Sequence, residues 1–368
     1  MNRLARIIAF YLPQFHSVPE NDEWWGKGFT EWTNVRSAKP LFKGHHQPRV
    51  PGELGYYDLL DPAVREKQAE LARYAGIEGF CYWHYWFGNG RRILEKPFDE
   101  VLSSGRPDFP FCLGWANHSW SKKTWTKIAT RNKNTLIEQL YPGDEDITAH
   151  FYNVLPAFKD YRYITVDGSP LFLVWAPMHL TNQRRFIDIW NDLAYKNDIP
   201  GIHFVGLKGG PLKGWESPLS FGFDAVCWEN FWMAEYRTSF LKSRVYPRLQ
   251  NLVNSNLFLM KYEYGDIVRH CFSGIESLEN VYPTIFPNYD RSPRGGKKAV
   301  IYYGSTPELF GQHVQQSLKL VKDKSYEHRI IFLRSWNEWG EGNYLEPDAE
   351  YGRQYLDVLH ELMSENDS

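Results

Sequence analysis

Short, almost wholly apolar runs alternate along the chain with longer amphipathic segments. Runs that are apolar at nearly every position are typical of strands buried on both faces of a parallel sheet. The pattern predicts eight such strands: Arg6–Leu12, Ile77–Trp83, Phe109–Trp115, Leu171–Trp175, Ile202–Leu207, Asp224–Trp228, Val281–Phe286 and Ile330–Arg334.

The amphipathic segments predict helices between the strands. Asp61 is a suitable N-cap for the first of them, and Pro62 fits its first helical position. The predicted helices are Pro62–Tyr74, Asp144–Asp160, Thr181–Asn197, Pro307–Lys322 and Tyr351–Met363. The weakest pattern lies in Met233–Arg269, which we interpret as an inserted helical segment with a basic face formed by Arg237, Lys242, Arg244 and Arg248.

Strands that alternate with helices predict a parallel sheet covered on its outer side. Eight such units favour a (β/α)8 TIM barrel in the α/β class. An open doubly wound sheet is the main alternative, but it often has a Gly-rich nucleotide-binding turn after its first strand, and this chain has Tyr11-Leu-Pro-Gln-Phe-His16 there. Its 368 residues would also fit two domains, yet no linker or repeat divides them, so we predict one domain over 1–368.

Charge and cysteine content narrow the function classes. The chain has 42 Lys+Arg against 44 Asp+Glu, a balance that argues against nucleic acid or an anionic membrane as the main partner. No apolar run approaches the length of a membrane span, and the N-terminus resembles a strand rather than a signal peptide, so we expect a cytoplasmic protein. No CxxC pair occurs, and we expect buried free thiols at Cys81, Cys112, Cys227 and Cys271.

Aromatic residues make up 17% of the chain, and 15 residues are Trp. Some of them lie beside polar residues in loop-like stretches, as in Trp115-Ala-Asn-His-Ser-Trp120. Flat aromatic faces with polar handles suit the C–H faces and hydroxyls of sugar rings. Composition alone fits an aromatic-rich core equally well.

Polar residues recur where the predicted strands end. Catalytic groups of barrel enzymes lie at the C-terminal ends of the strands, so these positions are candidates for a shared cleft. The candidates for substrate binding are His16, Tyr82, His84, Trp86, Trp115, Asn117, His118, Glu229, Asp290, Arg291, Trp336 and Asn337.

Glu338 and Glu341 follow the last predicted strand and are the candidate catalytic pair. Gly340 and Gly342 let the backbone bend so that both side chains can face one cleft. Cleavage of a glycosidic bond needs one carboxyl group to protonate the leaving oxygen and another to act as nucleophile or base. The neighbouring Trp336 can raise the pKa of one glutamate by excluding water.

The histidines invite a metal interpretation, but their spacing does not support it. Neither HxH nor HExxH occurs, and there is no P-loop or dinucleotide-binding GxGxxG motif. We therefore expect neither a metal nor a cofactor. Hydrogen bonding to sugar hydroxyls or a structural role fits these histidines.

Several motifs in order resemble the WbsX-type family. They are Phe10–His16, Asn21–Gly26, Gly28–Asn34, Gly79–Trp86, Trp115–His118, Ser335–Gly342 and Leu345–Pro347. That family is similar in turn to glycoside hydrolase family 99, the metal-independent (β/α)8 endo-α-mannosidases and endo-α-mannanases. The resemblance adds Glu31 and Trp32 to the candidate substrate-binding residues.

The resemblance also implies separate roles for the two glutamates. Glu338 would assist the sugar 2-hydroxyl in attacking C1, which gives a 1,2-anhydro sugar, and Glu341 would act as general acid and then base. A double displacement through a glycosyl-enzyme ester would use the same pair. Gly340 departs from family 99, which has a histidine there.

Three functions stay open at this point. The first is a retaining hydrolase of α-linked, manno-configured glycans of the bacterial surface-polysaccharide type. The second is a glycosyltransferase, because WbsX proteins are commonly labelled so and occur in surface-polysaccharide gene clusters. The third is a non-catalytic carbohydrate-binding barrel. All three predict an oligosaccharide or polysaccharide partner, and none fixes the oligomeric state.

Overall fold

Eight parallel strands close into a barrel in the computed structural model, which describes residues 4–121, 135–209, 217–246, 248 and 259–364. The strands are paired in the order β3-β2-β1-β8-β7-β6-β5-β4, and pairing of β3 with β4 closes the ring. This confirms the predicted (β/α)8 barrel. The strands are β1 (Arg6–Tyr11), β2 (Gly79–His84), β3 (Phe111–Trp115), β4 (Ser169–Val174), β5 (His203–Gly209), β6 (Ala225–Glu229), β7 (Val281–Ile285) and β8 (Ile330–Leu333).

The strands are apolar at nearly every position because both of their faces are buried. All six residues of β1 are buried. On the inner face, Phe10 stacks on Trp83 at 4.8 Å and on Phe332 at 5.3 Å between ring centroids. On the outer face, the Tyr82 ring packs 5.3 Å from Phe98 of the helix Lys96–Ser104. Two-sided burial of this kind removes the alternation seen in half-exposed strands.

Helices cover the barrel, and five of them agree with the predicted helices to within a few residues. Asp61 accepts from the Ala63 amide at 2.9 Å and is the N-cap that the sequence indicates. The helices described by the structure are Pro19–Trp25, Glu31–Ser37, Pro62–Tyr74, Lys96–Ser104, Asp144–Phe158, Gln183–Lys196, Phe231–Thr238, Tyr264–Cys271, Ser292–Gly295, Pro307–Val321 and Gln354–Ser364.

The segment predicted to be a helical insertion contains a strand as well as helices. Met260–Glu263 pairs in parallel with Val300–Tyr303, which in turn pairs with Tyr289–Asp290. Residues 247 and 249–258 of the predicted insertion lie outside the described residues. Two residues of the predicted basic face contact other parts of the protein. Lys242 donates to the Lys261 carbonyl at 3.2 Å, and the Arg244 guanidinium lies 4.3 Å from the Trp232 ring.

Two further features bear on the sequence interpretation. All four cysteines are buried free thiols, as predicted. Within the described ranges, no helix is both long and apolar enough to span a membrane.

Candidate active site

A cleft of about 320 Å³ opens at the C-terminal ends of the barrel strands. One part of its wall is aromatic and is formed by Trp83, Tyr85, Trp120, Trp175 and Tyr289. The wall also carries the charged side chains Glu229, Arg291, Arg294, Arg334, Glu338 and Glu341. The cleft therefore has the two surfaces that sugar binding and acid–base chemistry require.

The backbone after β8 folds into a tight turn that presents both candidate glutamates. Asn337–Glu338 pairs antiparallel with Asn343–Tyr344, and a 3-10 turn, Trp339–Glu341, lies between them. Gly342 has φ +58°, and a Cβ there would lie 2.9 Å from the Asp290 amide nitrogen. Glycine is favoured at this position by both its backbone conformation and the lack of space.

Buried polar contacts fix this turn from below. Asn337 accepts from the Leu12 amide at 2.7 Å and donates to the Leu12 carbonyl at 3.0 Å. The Trp339 indole donates to Glu346 at 2.6 Å and stacks on Tyr344 at 3.6 Å. The turn is therefore tied to β1 and to the following strand, which restricts the positions of Glu338 and Glu341.

A single guanidinium, that of Arg294, joins three buried carboxylates. Its Nε donates to Glu31 Oε1 at 2.9 Å, its Nη1 to Glu341 Oε1 at 3.0 Å, and its Nη2 to Glu338 Oε1 at 2.6 Å. The Arg294 side chain is 7% exposed. Buried charges persist only when they are paired, and Arg294 is the cation that the three glutamates share.

Glu341 also contacts two further arginines. Arg291 Nε lies 3.1 Å from Glu341 Oε1, and Arg334 Nη2 lies 3.3 Å from Glu341 Oε2. Nη1 of Arg334 binds both oxygens of Glu229 at 2.7 Å. Glu341 is consequently surrounded by positive charge, whereas the ion-pair partner that the structure shows for Glu338 is Arg294.

These surroundings move the pKa values of the two glutamates in opposite directions. Burial raises the pKa of Glu338 to about 7, with the negative charges of Glu341 and Glu31 adding to the rise and Arg294 opposing it. Burial also acts to raise the pKa of Glu341, but Arg291, Arg294 and Arg334 outweigh it and lower the value to about 2. These opposite shifts favour a proton on Glu338 and a negative charge on Glu341.

The space beside Gly340 is filled by Glu31. A Cβ at position 340 would overlap the Glu31 carboxylate and would lie 2.8 Å from Arg294 Nε. Glu31 begins the helix Glu31–Ser37, and the adjacent Trp32 ring lies 5.5 Å from Trp339. The Glu31–Arg294 ion pair therefore takes the place of a side chain at position 340.

The structure brings five of the predicted site residues to the cleft wall and buries others. The five are His118, Glu229, Arg291, Glu338 and Glu341. The His118 ring lies 4.3 Å from Trp175. Those that are buried and do not line the cleft wall are Glu31, Trp32, Asn117, Asp290, Trp336 and Asn337.

Two of these buried residues hold loops that carry cleft residues. Asn117 accepts from the Ala176 amide at 2.7 Å and donates to the Ala176 carbonyl at 2.9 Å, which joins the loops after β3 and β4. Asp290 accepts from His45 at 2.7 Å, from Gln47 at 2.6 Å and from the Ser292 amide at 2.8 Å. These contacts position the segment that contains Arg291 and Arg294.

The remaining candidates lie away from the cleft wall. Tyr82, Trp86 and Trp115 pack between strands and helices, and Trp115 donates to the Trp86 carbonyl at 2.9 Å. His84 lies 2.9 Å from His150, and burial lowers its pKa to about 3. His16 is fully buried, and burial lowers its pKa too. Their predicted contacts with substrate stay predictions.

Sequence reasoning missed several residues of the cleft wall. Tyr85, Trp175 and Arg334 directly follow β2, β4 and β8, so the rule that selected the other strand ends also covers them. Arg294 had no comparable signal, because it lies in a short helix beyond the strand Tyr289–Asp290. Among the described residues, no group of three or more His, Cys, Asp or Glu side chains is arranged to hold a metal ion.

The chain matches known sequences over nearly its whole length. The model of the family described as "Glycosyltransferase WbsX" matches residues 7–359. The uncharacterized proteins WxcX of Xanthomonas campestris pv. campestris strains B100 and ATCC 33913 are each 34% identical over 361 residues. That alignment covers 98% of this chain and 50% of each relative, so the chain spans about half the length of these curated relatives.

Solved structures share the fold at low sequence identity. A glycoside hydrolase-like protein superposes with a TM-score of 0.60 at 15% identity and covers 98% of this chain and 94% of its own. The GH99 endo-alpha-mannosidase from Bacteroides thetaiotaomicron, in complex with bis-tris-propane, gives a TM-score of 0.58 at 15% identity, with 98% and 96% covered. At this identity the similarity shows the barrel architecture alone.

Proposed function

The chain belongs to the family described as Glycosyltransferase WbsX, and from the chemistry of its cleft we propose that it is a retaining glycoside hydrolase. The proposed substrates are α-linked, manno-configured glycans of the bacterial surface-polysaccharide type. The observation that carries the proposal is the Glu338–Arg294–Glu341 arrangement, in which one buried guanidinium holds two carboxyl groups at one cleft.

Two carboxyl groups with separated pKa values are the arrangement that glycosidic bond cleavage needs. The group with the higher pKa can supply a proton near neutral pH, and the group with the lower pKa is available as base or nucleophile. Retaining glycosidases have carboxyl groups about 5–5.5 Å apart, and inverting ones about 6.5–9.5 Å apart. The shorter separation belongs to enzymes whose carboxylate is the nucleophile, and the binding of Glu338 and Glu341 to neighbouring guanidinium nitrogens is compatible with it.

The charges around the pair support roles that are the reverse of those implied by the family 99 resemblance. Glu338 would hold the proton that passes to the glycosidic oxygen as the C1–O bond breaks. Glu341 would accept the proton of the 2-hydroxyl as that oxygen attacks C1, which gives the 1,2-anhydro sugar. Water would then open this ring at C1, returning a proton to Glu338 while Glu341 protonates O2.

The aromatic wall supports a sugar substrate. Trp83, Tyr85 and Trp175 line the same cleft as the charged residues. Sugar C–H faces pack on such rings. The manno configuration is inferred from the fold relatives named endo-alpha-mannosidases.

A glycosyltransferase is the second candidate, because the family description names that activity and the half-exposed Arg291 lines the cleft. Guanidinium groups bind the diphosphate of a nucleotide sugar well. Calorimetry with a panel of nucleotide sugars separates the two candidates. Micromolar binding of one member would favour the transferase, and no binding together with glycan cleavage would favour the hydrolase.

The proposed hydrolase is tested by digestion of a panel of bacterial surface polysaccharides. Glu338→Gln and Glu341→Gln should each lower the release of reducing ends about 10²–10⁴-fold, the usual contribution of acid–base groups. Glu361→Gln on the exposed face of the last helix is the matched control and should keep full activity. Full activity of both site variants would overturn the proposal.

A further inference from the structure

Arg291 differs from its neighbours in the cleft because its terminal nitrogens form no hydrogen bond with the residues that the structure describes. Its side chain is 41% exposed and lines the cleft. Among the described residues, the ion-pair partner of its guanidinium is Glu341, which lies 3.1 Å from Nε. No hydrogen bond joins its two Nη groups to the described part of the chain, and Nε is the guanidinium nitrogen nearest to Glu341.

Each of the other two arginines of the cleft binds at least two carboxylates. Arg294 binds Glu31, Glu338 and Glu341 and is 7% exposed. Arg334 binds both oxygens of Glu229 and one oxygen of Glu341. Their charges balance groups of the protein, so they have little left for a ligand.

The balance of charges in the cleft allows a negatively charged ligand to approach Arg291. The negative charges of three glutamates balance the positive charges of three arginines in and beside the cleft: Glu31, Glu229 and Glu341 against Arg291, Arg294 and Arg334. The raised pKa of Glu338 makes its own negative charge smaller. The cleft is therefore not strongly acidic despite its glutamates, and an anion would not be repelled. Nε faces Glu341, and the half-exposed side chain lines the cleft, so the planar fork of Arg291 is accessible there. This fork matches a carboxylate in two parallel hydrogen bonds.

Resting on the proposed function, we propose that the cleft accepts an acidic sugar whose carboxylate binds the two Nη groups of Arg291. A carboxylate fits better than a phosphate, because phosphate sites usually gather several donors, whereas among the described cleft residues Arg291 is the guanidinium whose Nη groups form no hydrogen bond. The carboxylate has two possible sources, a uronic acid or a pyruvate ketal on a neutral sugar. Arg291 would thereby set substrate specificity as well as lower the pKa of Glu341.

NMR titration with three small probes tests this subsite directly. The probes are methyl α-mannopyranosiduronate, methyl 4,6-O-(1-carboxyethylidene)-α-mannopyranoside, and the neutral methyl α-mannopyranoside. We expect at least one acidic probe to bind wild type about tenfold more tightly than the neutral probe, as expected for a hydrogen-bonded charge pair. The acidic probe that binds identifies the source of the carboxylate.

Variants of Arg291 separate charge recognition from other effects. Arg291→Met should remove the tenfold preference, and Arg291→Lys should keep part of it, because lysine retains the charge without the fork. Arg269→Met is the control, since Arg269 is exposed and pairs with Asp266 on the helix Tyr264–Cys271. Equal binding of acidic and neutral probes by wild type, or an undiminished preference in Arg291→Met, would overturn the inference.

Turnover distinguishes failure of this inference from failure of the proposed function. A polysaccharide that wild type cleaves is compared with its carboxyl-reduced form, which keeps the linkages and loses the charge. Arg291→Met also removes an ion-pair partner of Glu341 and can change both rates. The quantity compared is therefore the ratio of kcat/KM for the native polysaccharide to kcat/KM for its carboxyl-reduced form. A wild-type ratio near one contradicts the acidic subsite and leaves the hydrolase proposal intact, whereas lack of cleavage of every polysaccharide contradicts the hydrolase proposal.

Discussion

The carboxylate of Glu31 occupies the volume into which a side chain at position 340 would project. The two residues are far apart in sequence, and Arg294 connects this contact to Glu338 and Glu341. The departure from the family 99 motif at Gly340 is thus matched by a buried ion pair. Restoring a side chain there disturbs the charges that act on both candidate catalytic groups.

Gly340→Ala should therefore be both less stable and less active. The added methyl group has to displace Glu31 or Arg294, and overpacking of a filled core site costs ~1–3 kcal/mol. Thermal unfolding and glycan cleavage measure the two effects. Gly265→Ala is the control, because a Cβ there lies 3.6 Å from Leu309 and meets no clash. If Gly340→Ala keeps wild-type stability and activity, the close packing of Glu31 against position 340 is contradicted.

Loss of Arg294 should be among the most destabilising changes in the cleft. Arg294→Met leaves Glu31, Glu338 and Glu341 buried without their shared cation, and breaking a buried ion pair costs ~3–5 kcal/mol. Protonation relieves unpaired carboxylates, so the deficit in unfolding free energy should shrink between pH 7 and pH 5. Denaturant unfolding at both pH values measures the loss of unfolding free energy, with Arg269→Met as the exposed control. A loss in Arg294→Met that is the same at pH 7 and pH 5 would contradict the prediction.

Substrates with good leaving groups should distinguish the roles of the two glutamates. A 2,4-dinitrophenyl glycoside needs no proton on its leaving oxygen, so a variant without the general acid can still cleave it. We expect Glu338→Gln to keep much of its activity on this substrate and Glu341→Gln to lose it. The opposite pattern would support the roles implied by the family 99 resemblance.

The pH dependence of kcat/KM offers a separate test of the same assignment. Glu338, with its pKa raised to about 7, acts as acid only while it is protonated, so activity should fall as pH rises through this value. Glu341, with its pKa lowered to about 2, stays ionised over the accessible range and should give no acidic limb there. Were Glu338 the base instead, activity would rise through pH 7.

The barrel was predictable from sequence because its strands are buried on both faces. The run at β1 is apolar at most positions, and the polar residues directly after β8 mark the site without any knowledge of tertiary contacts. Glu338 and Glu341 are close in sequence and share one turn, which made their pairing visible as well.

The rest of the site depends on contacts between distant segments. Arg294 pairs with Glu31 across 263 residues of sequence, and local sequence patterns do not predict a pair so far apart. For the same reason the spacing of the glutamates says nothing about which one holds a proton, since that is decided by Arg291, Arg294 and Arg334. Aromatic residues such as Tyr82 and Trp115 looked like cleft residues by position but face the helices, because alternate strand positions point outward.

Time-resolved NMR of the first sugar released from a cleaved α-linked glycan tests the central claim most directly. A retaining enzyme that uses Glu338 and Glu341 should release the α-anomer first, before mutarotation produces the β-anomer, and Glu338→Gln and Glu341→Gln should release little of either. First appearance of the β-anomer, or undiminished release by both variants, would contradict the account.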